Sequence, residues 1–378
     1  MSAEMISSPS TAAQILRPTW AEVSLFAFEG NMAKLRALAG PRGRLMFVAK
    51  ANAYGHGATP LALFAQTGGL CDMLGVSSVE EGIALRKEGI RLPILVLGSI
   101  YPFSSFRHAL LNDLSVTVAS MDAARQVEEA AAETGHAARC HVKVDTGMGR
   151  IGSRRPGAVK ILKYLSECEH AVIEGVYTHL SSSDSDSAYT RLQLKMFSDT
   201  LVDCSRNDIP TGIRHCANSW AAVNLPESRH DMIRPGLAAY GLLDEFEPVL
   251  TLKSKIVYLK DTRKGASVSY ARSYRCRAQT RVATVPIGYG DGYARRLSNR
   301  AEALVCGKRC RIIGNITMDM LMLDISAVDA ASVGSEVVLI GRQGEEEITS
   351  EELANLAGTI PYEITTSISA RVPRFYIK

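Results

Sequence analysis

The side chains able to do chemistry in this chain are few and lie far apart in sequence. Lys50 ends the apolar run "LMFVAK", an unusual place for a lysine, which is rarely buried unless paired. Desolvation depresses an amine's pKa and activates it, so Lys50 reads as a Schiff-base lysine; a surface lysine after a short strand is the plainer alternative. Arg150 lies in "HVKVDTGMGRIG", His179 in "YTHL", Asn218 and Ser219 in "HCANS", and Arg234 two residues before Gly236 in "IRPG". Alone, His179 reads as a satisfied core or loop histidine, Arg234 as a salt-bridge partner, and the Asn-Ser pair as a turn or helix cap. Together with Lys50 they suit a pyridine ring, with lysine on its aldehyde, histidine against its face and arginine at its nitrogen. Asn218, Ser219 and the backbone near Gly236 then suit its phosphate. That set implies pyridoxal phosphate.

A competing chemistry starts from Gly147, Gly149 and Gly152, whose spacing after a strand-like run fits a dinucleotide fingerprint. Glu174 even stands where a ribose-binding acid is expected, roughly 20 residues on. The fingerprint needs its last glycine packed at the start of a helix, yet Arg154, Arg155 and Pro156 precede the helical pattern "GAVKILKYLSEC". The glycines are better read as letting a loop turn sharply and present Arg150.

Eight β-rich runs must position these residues: "LMFVAK", "MLGVSS", "PILVLGS", "LSVTVAS", "RCHVKVD", "AVIEGVYTHL", "GIRHCA" and "DMIRPG". Helical patterns alternate with them, among them "MDAARQVEEAAAETG", with Ser120 and Asp122 as caps and Gly135 as a stop. The fold expected is a (β/α)8 TIM-type barrel over residues 27–245, with the candidate residues at the C-terminal ends of its strands. An open doubly wound sheet is the alternative. Past residue 245 the runs become strands separated by turns, with one helix near "SEELANLAG". Residues 246–378 are therefore expected to form a mainly β domain, joined by an N-terminal strand within residues 12–26.

Hydrophobic residues at 46% and charged residues at 22% are the balance of a soluble globular chain. A net charge of +4 over 378 residues, without a basic stripe, argues against nucleic acid. No apolar run is long enough for a membrane span, and the first residues lack a leader's charge and apolar core, so the cytoplasm is the expected address. The eight cysteines include no CxxC pair, so no metal is expected and all eight read as buried reduced thiols.

At the same residues the chain resembles the alanine racemase family. "VAKANAYGHG" is similar to the family's cofactor-lysine signature, and "KVDTGMGRIG", "YTHL", "HCANS", "IRPGLAAYG", "VSYARSY", "IGYGDGY", "TMDM" and "RVPR" follow in family order, from about Pro18 to the C-terminus. The resemblance implies a pyridoxal-phosphate enzyme interconverting L- and D-alanine for peptidoglycan, assembled as a head-to-tail homodimer. It implies Lys50 as one catalytic base and Tyr270, from the other subunit, as the second. Tyr54, Ser219, Gly236 and Leu237 resemble phosphate contacts, with Asn218 close by. Arg234 resembles the pyridine-nitrogen partner, oriented by His215, while His179 flanks the ring. Arg150 resembles the residue facing the cofactor phenolate and the substrate carboxylate. Tyr289, Met318 and Asp319 resemble substrate-pocket residues from the partner, and Lys143 matches a position often carbamylated in the family. An ion pair with Asp145 is the plainer reading of Lys143.

Asn315 and Ala370 depart from the family pattern, standing where many members carry arginine and some carry tyrosine. Shorter side chains there suggest a wider entrance, so serine or larger amino acids are alternative substrates. Asp184, in the loop "SSSDSDS", matches another entrance position. A decarboxylase of related architecture is a further alternative, against which Arg234 argues, because such enzymes usually place an acid at the pyridine nitrogen.

Overall fold

The computed structural model describes residues 16–378. Strand β1 (Thr19–Ser24) leads into the helix Leu25–Ala39, which Ser24 caps by accepting a hydrogen bond from the Ala27 N–H. Eight parallel strands follow: β2 (Arg44–Val48), β3 (Met73–Val76), β4 (Ile94–Val96), β5 (Ser115–Val118), β6 (Ala138–Lys143), β7 (Ala171–Tyr177), β8 (Ile213–His215) and β9 (Met232–Ile233). They match the eight expected runs in order. From β2 to β8 each pairs with its successor, and β9 returns to pair with β2. The remaining seam is bridged by hydrogen bonds from Asp231 N–H to Arg214 O and from Arg234 N–H to Ala217 O, so the sheet closes as a barrel.

Closure follows from the strand composition. One set of side chains, including Met46, Met73, Leu95 and Met232, packs inside the ring. The alternate set, including Phe47, Leu74, Val96 and Val116, packs outward against the helices. Both faces are thus buried, which is why the strands read as continuous apolar runs. Helix Met121–Thr134 ends as expected, with Ser120 accepting from the Ala123 N–H and Gly135 left-handed at φ 69°. Asp122 is not a cap; it lies in the first turn, where its charge faces the positive end of the helix dipole. The helix after the glycine loop begins at Arg155, two residues earlier than expected, with Pro156 tolerated in its first turn.

The second domain is mainly β. Strand β10 (Leu250–Lys255) is antiparallel to β1, which is parallel to the C-terminal strand Arg374–Ile377. The first described strand therefore completes the sheet of the second domain before the chain enters the barrel. Residues 12–15 of the expected N-terminal strand lie outside the described residues. A three-stranded sheet of Tyr258–Thr262, Thr280–Val285 and Leu321–Asp324 packs over the larger one around Val285, Leu304, Leu323 and Val337. Two helices occur here, Ser350–Ala357 and Pro361–Ser367, where the sequence reading expected one. Cysteine burial also needs correcting. Six thiols are buried, but Cys168 is partly exposed and Cys306 is exposed in the tight turn between Glu302–Val305 and Lys308–Arg311. Among the described residues, no helix is long and apolar enough to cross a membrane, and no group of three or more His, Cys, Asp or Glu can hold a metal ion.

Candidate active site

A cavity of about 610 Å³ opens at the C-terminal ends of the barrel strands, and Lys50, Tyr54, Lys143, Arg150 and His179 line one part of it. Asn218, Ser219, Arg234, Gly236 and Leu237 also line it. Ten sequence-derived candidates thus share one space. Among the described residues, Asp184 is the only carboxylate that lines it, beside the basic side chains of Lys50, Lys143, Arg150 and Arg234.

Lys50 begins an uncommon piece of backbone. Ala51, Asn52, Ala53 and Tyr54 all have φ near +52°, forming a left-handed turn without a glycine. Glu81 holds it in place, accepting from the Ala51 N–H at 2.7 Å and the Ser77 N–H at 2.6 Å. Asn52 accepts from the Ala58 N–H at 2.9 Å. The turn carries Tyr54 back over the barrel against Tyr240, with ring centroids 5.0 Å apart. A Cβ on Gly236 would come within 2.7 Å of the Tyr54 hydroxyl, so only glycine lets these two approach. Burial, then the charge of Arg150, lowers the Lys50 pKa, against a smaller opposing effect of Glu81.

Ser219 opens the short helix Ser219–Asn224 and turns its hydroxyl toward the next strand end, accepting from the N–H groups of Gly236 (2.9 Å) and Ala238 (3.2 Å). Asn218 is the cap of that helix. Its Oδ1 accepts from the Ala221 N–H, and its amide donates to the Ser183 hydroxyl at 2.9 Å. This ties the "SSSDSDS" loop to the site, and Ser183 is buried. The three glycines of the loop after β6 have φ of 132°, 68° and 124°, which explains their presence without a dinucleotide, and Arg150 stands exposed between the last two.

Arg234 is 5% exposed, with Nη1 3.0 Å from His215 Nδ1 and Nη2 donating to the Thr178 (2.7 Å) and Cys216 (3.2 Å) carbonyls. Among the described residues no carboxylate pairs with it, so the salt-bridge reading fails. Lys143 is 4% exposed and lies 4.3 Å from the Tyr177 ring centroid. Burial, then Arg234 and Arg150, pushes its pKa well below the lysine range. The plainer ion pair with Asp145 is not formed; Asp145 instead accepts from the Gly147 and Gly149 N–H groups. His179 is likewise held well below its usual pKa by burial and by Arg234, which leaves a neutral imidazole.

Tyr270, Tyr289, Met318 and Asp319 do not line this cavity. They form a second, exposed group on the β domain, with Tyr270 71% exposed. Its neighbours Ser269, Ala271 and Arg272 have φ of 66°, 58° and 50°. Asn315 secures this strained loop, donating from its amide to the Tyr270 carbonyl (3.0 Å) and accepting the Ser269 hydroxyl at its own carbonyl (2.5 Å). Backbone bonds join Tyr289 to Thr317 and Gly290 to Met318, and Arg371 donates to Asp319 at 2.7 Å. Ala370, beside Arg371, is exposed.

Neither Glu81 nor Tyr177 is among the candidates drawn from the sequence. Tyr177 stacks on His215 at 4.8 Å with the rings 3° from parallel, and its position in "YTHL" was the available signal.

Residues 23–244 match the family described as "Alanine racemase, N-terminal domain", and residues 249–376 match "Alanine racemase, C-terminal domain". The chain belongs to the alanine racemase family. An alanine racemase of Symbiobacterium thermophilum is 44% identical over 370 residues, covering 96% of this chain and 97% of the relative. Among solved structures, the alanine racemase of Clostridium difficile 630 superposes with a TM-score of 0.92 at 35% identity, covering 96% of this chain and 97% of that one. The Bacillus anthracis alanine racemase with bound L-Ala-P gives 0.90 at 35% identity, over 96% of this chain and 95% of that one. The family's two domains thus correspond to the barrel with its basic cavity and the β domain with its exposed tyrosine group.

Proposed function

We propose that this chain is a pyridoxal-phosphate-dependent racemase of alanine that works with two bases on opposite faces of the substrate. The observation that carries the reading is Arg234, a buried guanidinium with which no carboxylate of the described residues pairs, in the same cavity as the depressed amine of Lys50. The donor set fits the cofactor. Tyr54, Ser219 and the backbone at Gly236 and Leu237 would hold the phosphate, in a cradle that a Cβ on Gly236 would fill. His179 would flank the ring, Arg234 would donate to the pyridine nitrogen, and Arg150 would face the phenolate and the substrate carboxylate. When bound, pyridoxal phosphate acidifies the Cα proton of an amino acid.

Each protein group then has a defined task. Lys50, whose pKa is lowered by burial and by Arg150, takes a proton at Nζ from one face of Cα. Tyr270 delivers one from the opposite face; it is exposed and does not line the cavity, so a second copy of the chain would bring it there. Arg234 stays protonated and has no lone pair, so it disfavours a proton on the pyridine nitrogen and keeps the electron sink weak. Reprotonation at Cα then outcompetes transamination. Tyr289, Met318 and Asp319 would complete the pocket from the same second copy. Lys143, a buried amine beside two arginines, is suited to attack carbon dioxide and lose a proton, and the resulting carbamate would pair with Arg150. The product D-alanine would serve peptidoglycan synthesis, in the cytoplasm.

The test is chiral chromatography after incubating cofactor-loaded protein with separate L-amino acids. Alanine should racemise fastest, with serine behind it. Decarboxylation products, or no D-isomer from any substrate, would overturn the reading.

A further inference from the structure

Among the described residues Arg234 has no direct counter-ion, yet a line of buried side chains leads from it to a carboxylate. His215 Nδ1 lies 3.0 Å from Arg234 Nη1, and His215 Nε2 lies 2.8 Å from His141 Nδ1. His141 Nε2 in turn lies 3.0 Å from Glu174 Oε2. Both imidazoles are 0% exposed. From this geometry we infer that Glu174 is the remote counter-ion of Arg234, and that His141 and His215 join them through a hydrogen-bond chain of single polarity.

The polarity follows from which atoms can accept. A guanidinium has only N–H donors, so His215 Nδ1 must present its lone pair. The proton of His215 is then on Nε2 and donates to His141 Nδ1, which leaves the His141 proton on Nε2, aimed at the carboxylate. Neither ring can be an imidazolium. A proton on His215 Nδ1 would face the arginine N–H. A proton on His141 Nδ1 would force the His215 proton back to that same place. Burial lowers the pKa of both histidines, in agreement with neutral rings. Burial also raises the Glu174 carboxyl, but hydrogen bonds from His141 and Ser115 outweigh it and leave it lowered.

The surroundings are shaped for this chain. A Cβ on Gly175 would fall 2.4 Å from His141 Nδ1, so a glycine in the middle of β7 makes room for the ring. Tyr177 stacks on His215, and its hydroxyl is held by Thr117 at 2.7 Å. At the outer end Ser115 donates to Glu174, while Arg139 lies 3.7 Å from Glu174 and also bonds Asp113. Neither His141 nor Glu174 lines the cavity, so they act as positioning residues. By polarising both imidazoles toward Arg234, Glu174 makes His215 Nδ1 a stronger acceptor and fixes the guanidinium plane. The consequence for catalysis rests on the proposed place of Arg234 at the pyridine nitrogen; the chain itself does not.

The test uses protein labelled with 15N-histidine, with and without pyridoxal phosphate, and two-bond 15N–1H correlations that report each ring's tautomer. Wild type should show His141 and His215 as neutral rings protonated at Nε2. Glu174→Gln keeps an acceptor oxygen but removes the charge, and should shift the signals of His215, two hydrogen bonds away. Asp113→Asn, which neutralises a nearby carboxylate outside the chain, should leave His215 unmoved. In the loaded enzyme Glu174→Gln should raise transamination per racemisation turnover severalfold. An imidazolium or an Nδ1–H tautomer in wild type overturns the inference, and needs no variant to fold. An unmoved His215 in Glu174→Gln overturns it as well. Ring signals that respond while the reaction ratio stays constant would overturn the role given to Arg234, not the chain.

Discussion

Replacing Ala51 with glycine should make the protein more stable and less active. Ala51 is exposed and has φ 52°, so its methyl group packs against little while its backbone is strained. A left-handed conformation costs an L-residue about 1–2 kcal/mol, which glycine does not incur. Glycine also frees the unfolded chain, an opposing effect of about 0.4–1 kcal/mol. The difference favours the variant by roughly 0.5–1 kcal/mol. Ala33 supplies the control, being exposed in the middle of the right-handed helix Leu25–Ala39. There the same substitution should destabilise by about 1 kcal/mol.

The two variants should therefore separate by about 1.5–2 kcal/mol and move in opposite directions from wild type. Urea unfolding at equal slope measures this directly. The turn also sets where Lys50 starts, and the Cβ of Ala51 restricts the backbone angles open to that residue. A glycine at 51 loosens that restraint, so kcat should fall while stability rises. If Ala51→Gly destabilises as much as Ala33→Gly, the turn stores no strain and the reasoning is refuted.

Lys50→Ala and Tyr270→Ala proteins should each be nearly inactive; if two copies share each site as proposed, equal amounts co-refolded should recover about a quarter of wild-type activity, with half the dimers mixed and each of those holding one complete site. No recovery in tag-verified mixed dimers would place both bases in one chain. The Lys143 amine has a folded pKa well below 10.5, so the unfolded chain binds the extra proton. Stability in bicarbonate-free buffer should rise with pH from that folded value toward 10.5, and Lys143→Met should flatten the rise. Asn315→Ala removes the amide bond to the Tyr270 carbonyl and should lower kcat across substrates alike; a loss confined to large amino acids would mean that Asn315 selects by size.

The barrel was legible because most of its strands are buried on both faces and its candidate residues lie at or after strand ends. Lys50 illustrates how far that reading extends: its place after β2 was evident, the left-handed turn that aims it was not. Alanines at 51 and 53 favour the right-handed helix, and only Gly55 and Gly57 hint at a reversal. The deciding contact is Glu81, thirty residues away, whose two oxygens fix the Ala51 and Ser77 N–H groups. Asn315 was read as a short side chain at an entrance, a judgement about volume. Its amide and carbonyl bonds to the Tyr270 loop depend on two turns meeting, which spacing does not reveal.

The histidine chain was hidden for a sharper reason. His141 was visible in "HVKVDTGMGRIG", and Glu174 drew notice only as a stray ribose acid. Strict alternation along paired strands would set their relation, but the register between β6 and β7 shifts between Cys140 and His141. The shift places His141 opposite Gly175, not opposite Glu174, and so frees the space that its ring occupies. It also leaves Nε2 within reach of the Glu174 carboxylate and Nδ1 facing His215 on β8. A one-residue slip in pairing exchanges the faces of a strand, so the irregularity decides whether these groups meet. The bulge that departs from regular pairing is thus what gives Arg234 its path to a carboxylate.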